Sequence, residues 1–318
     1  MQVDVLWSYI MLLLRMGVPQ MYDQDFIYSE RDLNYVPCDL CGSDTPEVLF
    51  EKNGFKYVKC RNCDLVYVNP RLKDPIGHQE TFYANLAASF GDLDKQAHHD
   101  YTGSRRKRLL KEAAMYLPYN LNGRILDIGC GFGGFLKGAA EQGWKHPEGI
   151  EIAPVAAEYT SKFFPVKMKP FEEIQYNDYS FDVIRLNNVI EHLPSPKSLI
   201  LSAYNNLRSG GLLVISTPNF GSLSVTLCRE KWQYIGGDDH IYLFAPKTIS
   251  QMLGANGFKV VNIRTKGIHI TPKYHIKKPS SYRGKLLHNE IKIIENVLDF
   301  FVRRTLWGHR LKVWAEKG

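Results

Sequence analysis

The sequence predicts an α/β fold, in which a mostly parallel sheet has helices on both faces and a small cysteine-rich module precedes it. The first observation is that apolar runs of strand length alternate with amphipathic helical segments through residues 104–317. The second is a glycine-packed turn after the first of these runs, at residues 129–134. The third is a pair of Cys-x-x-Cys motifs nearer the N-terminus.

The composition agrees with one large domain and one small module in a chain of 318 residues. Its 44% hydrophobic and 12% aromatic residues supply enough material for a complete core. The net charge of +7 mildly favours acidic partners, such as phosphorylated small molecules or nucleic acid. The densest basic run, residues 105–108, opens a predicted helix, and we interpret it as the solvated face of that helix.

Residues 1–33 are interpreted as an N-terminal extension with no assigned function. Residues 5–16 are strongly apolar, but a bilayer span takes about 20 such residues. The stretch contains Arg15 and lacks the basic leader and cleavage site of a signal peptide. We therefore expect a cytoplasmic protein without a transmembrane segment or disulfides.

The cysteine-rich module is predicted over residues 34–72. Short strands are expected on either side of Asn53-Gly54, which is a hairpin turn signal. Gly42 and Asp64 each follow one of the Cys-x-x-Cys motifs, at a position where a turn of this kind requires positive φ. The module is therefore predicted to be a ribbon of short strands held by its cysteines.

The four cysteines of this ribbon have the spacing of a zinc site, because 18 residues separate the two Cys-x-x-Cys motifs. Each motif places two thiolates on one tight turn, and two turns complete a tetrahedron around Zn²⁺. With four protein ligands the site is structural, although a rubredoxin-like iron site would use the same residues. The predicted ligands are Cys38, Cys41, Cys60 and Cys63.

A polar connector is predicted over residues 73–103, and the main domain over residues 104–318. Its predicted helices lie at 104–116, 133–142, 154–163, 196–207 and 246–255. Its predicted strands lie at 124–129, 147–151, 165–168, 181–187, 211–217, 257–264 and 310–317. Two insertions, residues 218–245 and 268–305, interrupt this alternation after the fifth strand and before the last.

The glycine-packed turn fits two kinds of nucleotide site. Gly129 and Gly131 with Gly134 match the dinucleotide spacing G-x-G-x-x-G, which leaves an NAD-dependent oxidoreductase as one alternative. If Gly133 is taken in place of Gly134, then Asp127, Gly129, Gly131 and Gly133 match a different pattern, D-x-G-x-G-x-G. Asp127 favours the second interpretation, because a carboxylate repels a pyrophosphate and attracts the free ammonium group of S-adenosylmethionine.

The motifs along the main domain make the chain similar to class I S-adenosylmethionine-dependent methyltransferases, which have a Rossmann-like sheet. The matching segments are residues 127–133, 149–154, 180–184, 187–193 and 207–218. The resemblance covers roughly residues 100–317. It implies methyl transfer from S-adenosylmethionine, and it implies that the last strand inserts antiparallel beside the fifth.

The resemblance also implies contacts at the methionine end of the cofactor. Gly129, Gly131 and Gly133 would pass under the methionine and the ribose. Asp127 would favour the ammonium group through water. Asn187, at the end of the fourth strand, would meet the same ammonium group with its backbone carbonyl.

Four further residues are predicted to hold the nucleoside end. Glu151 ends the second strand, about 20 residues beyond the glycine turn, where a carboxylate is expected to accept both ribose hydroxyls. Ile152 would lie on one face of the adenine. Phe171 and Glu172 are the matched positions for its other side, although Phe171 could equally be an ordinary core residue.

Two histidines are candidate catalytic bases, since a hydroxyl acceptor must lose its proton as its oxygen attacks the methyl group. His192 follows Glu191 just beyond the fourth strand, and the alternative is that it only orients its loop. His240 ends the first insertion and is the preferred candidate, because two neighbouring carboxylates can orient it. Its alternative is a cap for the helix that begins near Pro246.

The first insertion, residues 218–245, is predicted to form a lid and one wall of the acceptor pocket, because it leaves the fifth strand at its carboxyl end. The alternative is an aromatic loop that packs over the end of the sheet. The aromatic side chains proposed as a flat surface for a sugar are Trp232, Tyr234, Tyr242 and Phe244.

Together, the ribbon and this insertion resemble methyltransferases of nucleotide-sugar and surface-glycan biosynthesis. This resemblance implies a role in polysaccharide biosynthesis and a sugar, nucleotide-sugar or glycan acceptor, with a phosphorylated acceptor left open. Sugar C-methyltransferases with a similar ribbon carry an additional C-terminal domain, whereas this sequence ends at its last predicted strand, so we expect O-methylation of a hydroxyl. Other small molecules, lipids and, as a less favoured alternative, nucleic acids also remain open as acceptors or partners. The oligomeric state is not predicted.

Overall fold

The computed structural model describes residues 32–75, 77, 92–120, 122–176, 181–236, 239–268, 297–302 and 304–318. Nearly all of the N-terminal extension, much of the connector and most of the second insertion therefore lie outside the described residues. Within the described ranges, no helix has both the length and the apolar character needed to cross a membrane.

The elements are numbered in chain order. Helices α1 to α7 are Leu93–Asp100, Gly103–Ala114, Gly134–Glu141, Pro154–Ser161, Pro196–Asn206, Leu223–Cys228 and Pro246–Ala255. Strands β1 to β13 are Leu33–Asn34, Pro46–Lys52, Phe55–Cys60, Val66–Val68, Arg71–Leu72, Arg124–Ile128, His146–Ile150, Val166–Lys167, Phe181–Asn187, Leu207–Pro218, Tyr242–Leu243, Phe258–Lys266 and Arg310–Lys317.

The main sheet has seven strands in the order β12-β13-β10-β9-β6-β7-β8. The neighbouring pairs from β10 to β8 are parallel, whereas β13 runs antiparallel to both β10 and β12. This topology confirms the predicted α/β sheet with an antiparallel last strand beside the fifth. The central strand β9 is buried from Phe181 to Leu186, as expected for a strand covered on both faces.

Among the elements that were predicted, the largest shift of a boundary is at β10, which begins at Leu207 instead of residue 211. Leu207 pairs with Phe181 of β9, and the register then shifts before Leu212 pairs with Val183. A bulge of this kind lengthens a strand without an alternating apolar pattern, so periodicity alone does not reveal it.

A buried charged network interrupts the apolar core at Arg185, in the middle of β9. Its guanidinium donates to Glu112 Oε1 of α2 at 2.9 Å and to Asp127 Oδ1 of β6 at 2.6 Å. Lys312 of β13 adds a 2.6 Å ion pair to Glu112. The guanidinium also lies 4.2 Å from the ring centroid of Phe135. The network ties α2 to three strands of the sheet.

The ribbon forms a second sheet of four strands in the order β11-β4-β3-β2. Asn53 and Gly54 have φ values of 52° and 76° and close the turn between β2 and β3, as the sequence predicts. Strand β11 comes from the first insertion: Tyr242 pairs with Tyr67, and Leu243 with Val66. The ribbon and the insertion therefore share one sheet across the predicted domain boundary.

Candidate functional site

The glycine turn after β6 has the backbone that the second sequence pattern requires. Gly129, Gly131 and Gly133 have φ values of 72°, 51° and 73°, whereas Gly134 starts α3 with ordinary helical φ. A Cβ at Gly129 would lie 2.5 Å from Val189 Cγ2. A Cβ at Gly131 would project into open space. The turn thus exposes its backbone at Gly131, where a ligand can approach closely.

Glu151 is held against this turn by two backbone donors. Its Oε2 accepts from Gly131 N at 2.8 Å, and its Oε1 accepts from Ala153 N at 2.9 Å. Burial raises the pKa of Glu151, and these two donors oppose that rise. Each oxygen keeps a second lone pair, so the carboxylate is oriented and still able to accept from two hydroxyls.

The four predicted zinc ligands converge in the ribbon. Cys38 Sγ lies 3.5 Å from Cys63 Sγ, Cys41 Sγ lies 3.5 Å from Cys60 Sγ, and all four sulfurs lie within 4.8 Å of one another. A tetrahedral Zn²⁺ site with Zn–S distances of about 2.3 Å places its sulfurs about 3.8 Å apart. None of the four is in a disulfide. The donor set therefore fits one closed zinc site.

The turns that present these sulfurs are also as predicted. Gly42 and Asp64 have φ values of 74° and 65°. Gly42 N donates to Cys38 O at 2.7 Å, and Asp64 N donates to Cys60 O at 3.0 Å. These bonds make the two turns nearly equivalent, which explains why Asp is tolerated where Gly is the usual residue.

The structure brings the two candidate histidines together. His192 ends the short 3-10 helix Ile190–His192 after β9, and His240 lies just before β11. Their ring centroids are 4.6 Å apart. His192 Nδ1 lies 2.8 Å from the carbonyl oxygen of Asp239, and His240 Nδ1 lies 3.0 Å from that of Tyr234. Burial lowers the pKa of His192.

A family model described as a methyltransferase domain matches residues 98–263 of this chain. The chain belongs to this methyltransferase family. It is therefore an enzyme that uses S-adenosylmethionine, and the NAD-dependent alternative is wrong. The phosphate-free interpretation of the glycine turn, which rested on Asp127 and Gly133, is the one that agrees with the family.

Two curated relatives of this methyltransferase are named ubiquinone biosynthesis O-methyltransferase. The protein of Aeromonas salmonicida is 28% identical over 163 residues, which are 47% of this chain and 67% of that protein. The protein of Neisseria meningitidis is 27% identical over 169 residues, with coverages of 48% and 68%. These names agree with a methyltransferase and leave the resemblance to glycan enzymes unconfirmed.

A solved methyltransferase of Archaeoglobus fulgidus is similar to this chain at a TM-score of 0.48 and 24% sequence identity. The match covers 67% of this chain and 94% of that one.

Asp127 of the methyltransferase is fully enclosed, and its carboxylate pairs with Arg185. Its role toward the cofactor ammonium stays a prediction. The neighbouring guanidinium already balances its charge, so its pull on an ammonium is weaker than that of an unpaired carboxylate. Sequence reasoning missed Arg185 because it lies within an otherwise apolar strand with no motif around it.

The remaining predicted cofactor residues line the same edge of the sheet or lie near it. Asn187 is exposed at the end of β9, and Ile152 is half-buried beside Glu151. Glu172 is exposed, whereas Phe171 is buried with its ring centroid 6.2 Å from that of Tyr176. Phe171 therefore packs in the core, and its contact with adenine stays a prediction.

Glu191 is a site residue that the sequence did not single out. It is 1% exposed, and its Oε2 accepts from Thr217 Oγ1 at 2.9 Å. One ligand atom each from Glu191, His192 and His240 lies within 4.8 Å of the other two. The sequence signal for this site was the Glu191-His192 pair just after the fourth predicted strand. The proximity of this pair to His240 could not be predicted, because it depends on the fold.

The predicted aromatic wall of the acceptor pocket was largely wrong. Trp232, Tyr242 and Phe244 are buried in the hydrophobic core, and Tyr242 lies in β11, which pairs with β4 of the ribbon sheet. The packed aromatic loop, which was the alternative, describes them correctly. Tyr234 differs, since it is half-buried and stacks on the His240 ring with centroids 5.6 Å apart.

Arg71 of the ribbon joins the two loops that carry the histidines. Its Nη1 donates to Tyr242 Oη at 2.9 Å, and its Nη2 donates to the carbonyl of Pro194 at 2.8 Å. Tyr242 lies two residues after His240, and Pro194 lies two residues after His192. The ribbon is thus bonded to both sides of the histidine pair.

Of the acidic neighbours predicted for His240, Asp239 accepts from His240 N at 2.7 Å, and Asp238 lies outside the described residues.

Proposed function

We propose that this methyltransferase moves a methyl group from S-adenosylmethionine to a hydroxyl oxygen of a small molecule. The observation that supports an oxygen acceptor is the His192–His240 pair beside the glycine turn. Strands β6 and β9 are neighbours and parallel, so their carboxyl ends meet at one edge. Val189 follows β9 and contacts the Gly129 backbone, and His192 lies three residues farther along.

In the proposed complex, the cofactor lies across the open face of Gly131. Glu151 accepts the ribose hydroxyls with the lone pairs that its backbone bonds leave available. The carbonyl of Asn187 meets the ammonium group, and Ile152 covers one face of the adenine. This placement directs the sulfonium methyl group toward the end of β9, where the histidines stand.

O-methylation needs a base such as an imidazole near the acceptor. Transfer to an atom that is already nucleophilic needs no base. The hydroxyl proton must leave as the oxygen attacks the methyl carbon, and an imidazole can take it. Positioning supplies the rest, since correct alignment of the two reactants is worth up to about 7–11 kcal/mol. His240 is the proposed base, with His192 beside it.

The acceptor class is a finer proposal. The relatives named as O-methyltransferases support oxygen as the accepting atom. A sugar or nucleotide-sugar hydroxyl remains our candidate from resemblance, but burial of three predicted aromatic contacts removes most of its support in the pocket. Nucleic acid is disfavoured because Arg105 and Arg106 of the basic run pair with Asp100 and Glu141.

Calorimetry tests the cofactor part of the proposal. S-adenosylmethionine should bind, and Glu151→Ala should weaken binding about tenfold or more, because a hydrogen bond to a charged group is worth about 1.5–3 kcal/mol. Glu158→Ala, which removes an exposed carboxylate of α4, is the matched control. Unchanged affinity in Glu151→Ala would remove Glu151 from the site, and binding of NAD in place of S-adenosylmethionine would overturn the proposal.

The acceptor is tested by mass spectrometry of reactions with phenols, sugars, nucleotide sugars and amines. Products that gain one methyl group on oxygen support the proposal. Products methylated only on nitrogen or carbon contradict it. A salt-dependent gel shift with RNA and DNA separates the nucleic-acid alternative, since phosphate contacts weaken steeply with salt.

A further inference from the structure

We propose that Glu191, His192 and His240 bind a divalent transition-metal ion, which takes the acceptor oxygen as a further ligand. This inference rests on the proposed O-methylation. It replaces the base role proposed above for His240, because an imidazole whose Nε2 lone pair binds a metal ion cannot also accept a proton there.

The three side chains have the right donor atoms at nearly the right separations. Glu191 Oε1 lies 4.0 Å from His192 Nε2, and the three donors lie within 4.8 Å of one another. Ligands around one ion at about 2.0–2.2 Å lie about 3–3.5 Å apart. Small rotations of side chains already in place would bring the three donors around a single ion.

The hydrogen bonds of the two imidazoles fix which nitrogen faces the centre. His192 Nδ1 and His240 Nδ1 each lie within 3.0 Å of a backbone carbonyl oxygen. A carbonyl only accepts, so each Nδ1 must carry the hydrogen and each Nε2 must present a lone pair. Metal-binding histidines are commonly oriented by this same bond from the second ring nitrogen to a carbonyl.

Glu191 provides independent support for a cation ligand at this cluster. Its side chain is 1% exposed, yet Oε1 has no hydrogen-bond partner in the part of the chain that the structure describes. Thr217 satisfies Oε2. A buried carboxylate oxygen without a partner is destabilising, and a bound cation removes that penalty. The hydroxyl of Thr217 then serves to orient the carboxylate toward the ion.

The donor set selects the kind of metal. Magnesium and calcium prefer oxygen ligands, whereas two imidazoles and one carboxylate suit Zn²⁺, Fe²⁺, Co²⁺ or Ni²⁺. Three protein ligands leave at least one position for the acceptor. Asp239 is a half-exposed carboxylate whose Oδ2 lies 3.8 Å from His240 Nε2.

A metal at this point would act on the acceptor hydroxyl. Coordination lowers the pKa of a bound hydroxyl group, so its proton passes to solvent and the oxygen is left as a metal-bound anion. That oxygen attacks the methyl carbon and forms the new C–O bond. The C–S bond breaks with its electron pair on sulfur, and S-adenosylhomocysteine leaves without any redox change.

The test is Co²⁺ titration of the full chain after its cysteine cluster has been filled with zinc. A second equivalent of metal should bind and give visible absorption without the strong sulfur-to-cobalt bands of a cysteine site. Glu191→Gln and His240→Gln should each weaken this binding about 10-fold or more, the scale of perturbing a metal's ligand sphere. His146→Ala, an exposed histidine at the start of β7, should leave it unchanged.

Three outcomes would overturn the inference. The first is that the zinc-filled chain binds no further Co²⁺. The second is that both Gln variants, checked for folding by S-adenosylmethionine affinity, bind Co²⁺ as the wild type does. The third is full methyl transfer by chelator-treated enzyme that retains its cysteine-bound zinc, which would reject the metal while leaving O-methylation in place. Failure to methylate any hydroxyl, with Co²⁺ binding intact, would instead reject the proposed function.

Discussion

The two clusters of possible metal ligands among the described residues of this methyltransferase are built in different ways. The cysteine cluster comes from two turns of one short module, Cys38 to Cys63, and each turn carries its own backbone hydrogen bonds. The Glu191–His192–His240 cluster comes from two loops that meet only because β9 and β11 are placed by different sheets. We call the cysteine cluster the local cluster, because its ligands come from one short module and leave no open position. We call the Glu191–His192–His240 cluster the assembled cluster, because its ligands come from distant loops and leave a position open.

The largest expected effect is loss of the local cluster. Cys60→Ser should abolish zinc binding and unfold the ribbon, because structural zinc contributes about 10–16 kcal/mol to modules of this kind. Elemental analysis should show near-stoichiometric zinc in the wild type and none at this site in the variant. If all four thiols of native, metal-free protein react readily with a thiol reagent, the cluster is not a metal site.

The next largest effect is expected in the buried charged network around Arg185, which is also assembled from distant parts of the chain. Its disruption tests whether such a cluster contributes as much to stability as the local one. Burial alone would raise the pKa of Glu112, but Arg185 and Lys312 hold that pKa below its usual range. Its pairing therefore stabilises the fold above about pH 4.5, and this stabilisation is lost as the pH falls toward the lowered pKa. Glu112→Gln should lower the free energy of unfolding at pH 7 by about 3–5 kcal/mol.

The measurement for Glu112→Gln is urea unfolding at several pH values. The difference between variant and wild type should be largest at neutral pH and shrink in acid. Glu158→Gln on the exposed face of α4 is the control. A difference that stays constant from neutral to acidic pH would show that the charge of Glu112 contributes nothing.

His240→Ala should affect the assembled cluster alone. Turnover should fall by about 10²-fold or more, the scale of a lost general base or metal ligand, while S-adenosylmethionine affinity stays near that of the wild type. Methyl-transfer kinetics and calorimetry on the same preparation provide the two readouts. Full activity, or lost cofactor binding without a separate effect on turnover, would contradict this role of His240. Catalysis would then depend on His192 or on positioning of the acceptor alone.

The smallest effect is expected at Arg71, which bonds the ribbon module to the two loops of the Glu191–His192–His240 cluster. Arg71→Lys keeps the charge but cannot bond Tyr242 and the Pro194 carbonyl together in the same geometry. Turnover should fall several-fold, with zinc content unchanged, because a typical hydrogen bond contributes about 1 kcal/mol. Arg61→Lys, which changes an exposed residue of the ribbon, is the control. Equal turnover in the two variants would show that the Arg71 hydrogen bonds do not affect the histidine site.

The same contrast explains what the sequence could reveal. The convergence of the four cysteines, the positive φ of the three loop glycines and the position of Glu151 beside them could be predicted, because each depends on a few neighbouring residues or on one strand–turn–helix unit. Arg185 and the pairing of β4 with β11 were missed because each depends on partners far along the chain. Tyr242 and Phe244 were misplaced for the same reason, since their aromatic character fits a pocket wall and a core equally well.

The pairing of β4 with β11 also has a consequence for biosynthesis. Val66–Val68 is an apolar strand of the ribbon, and the strand that covers its open edge, Tyr242–Leu243, is made about 175 residues later. Until then, the nascent ribbon presents unpaired backbone groups, which can recruit a strand from another molecule. Truncations that end before Tyr242 should therefore aggregate even with zinc bound, and delayed translation of the insertion should make the full chain dependent on chaperones.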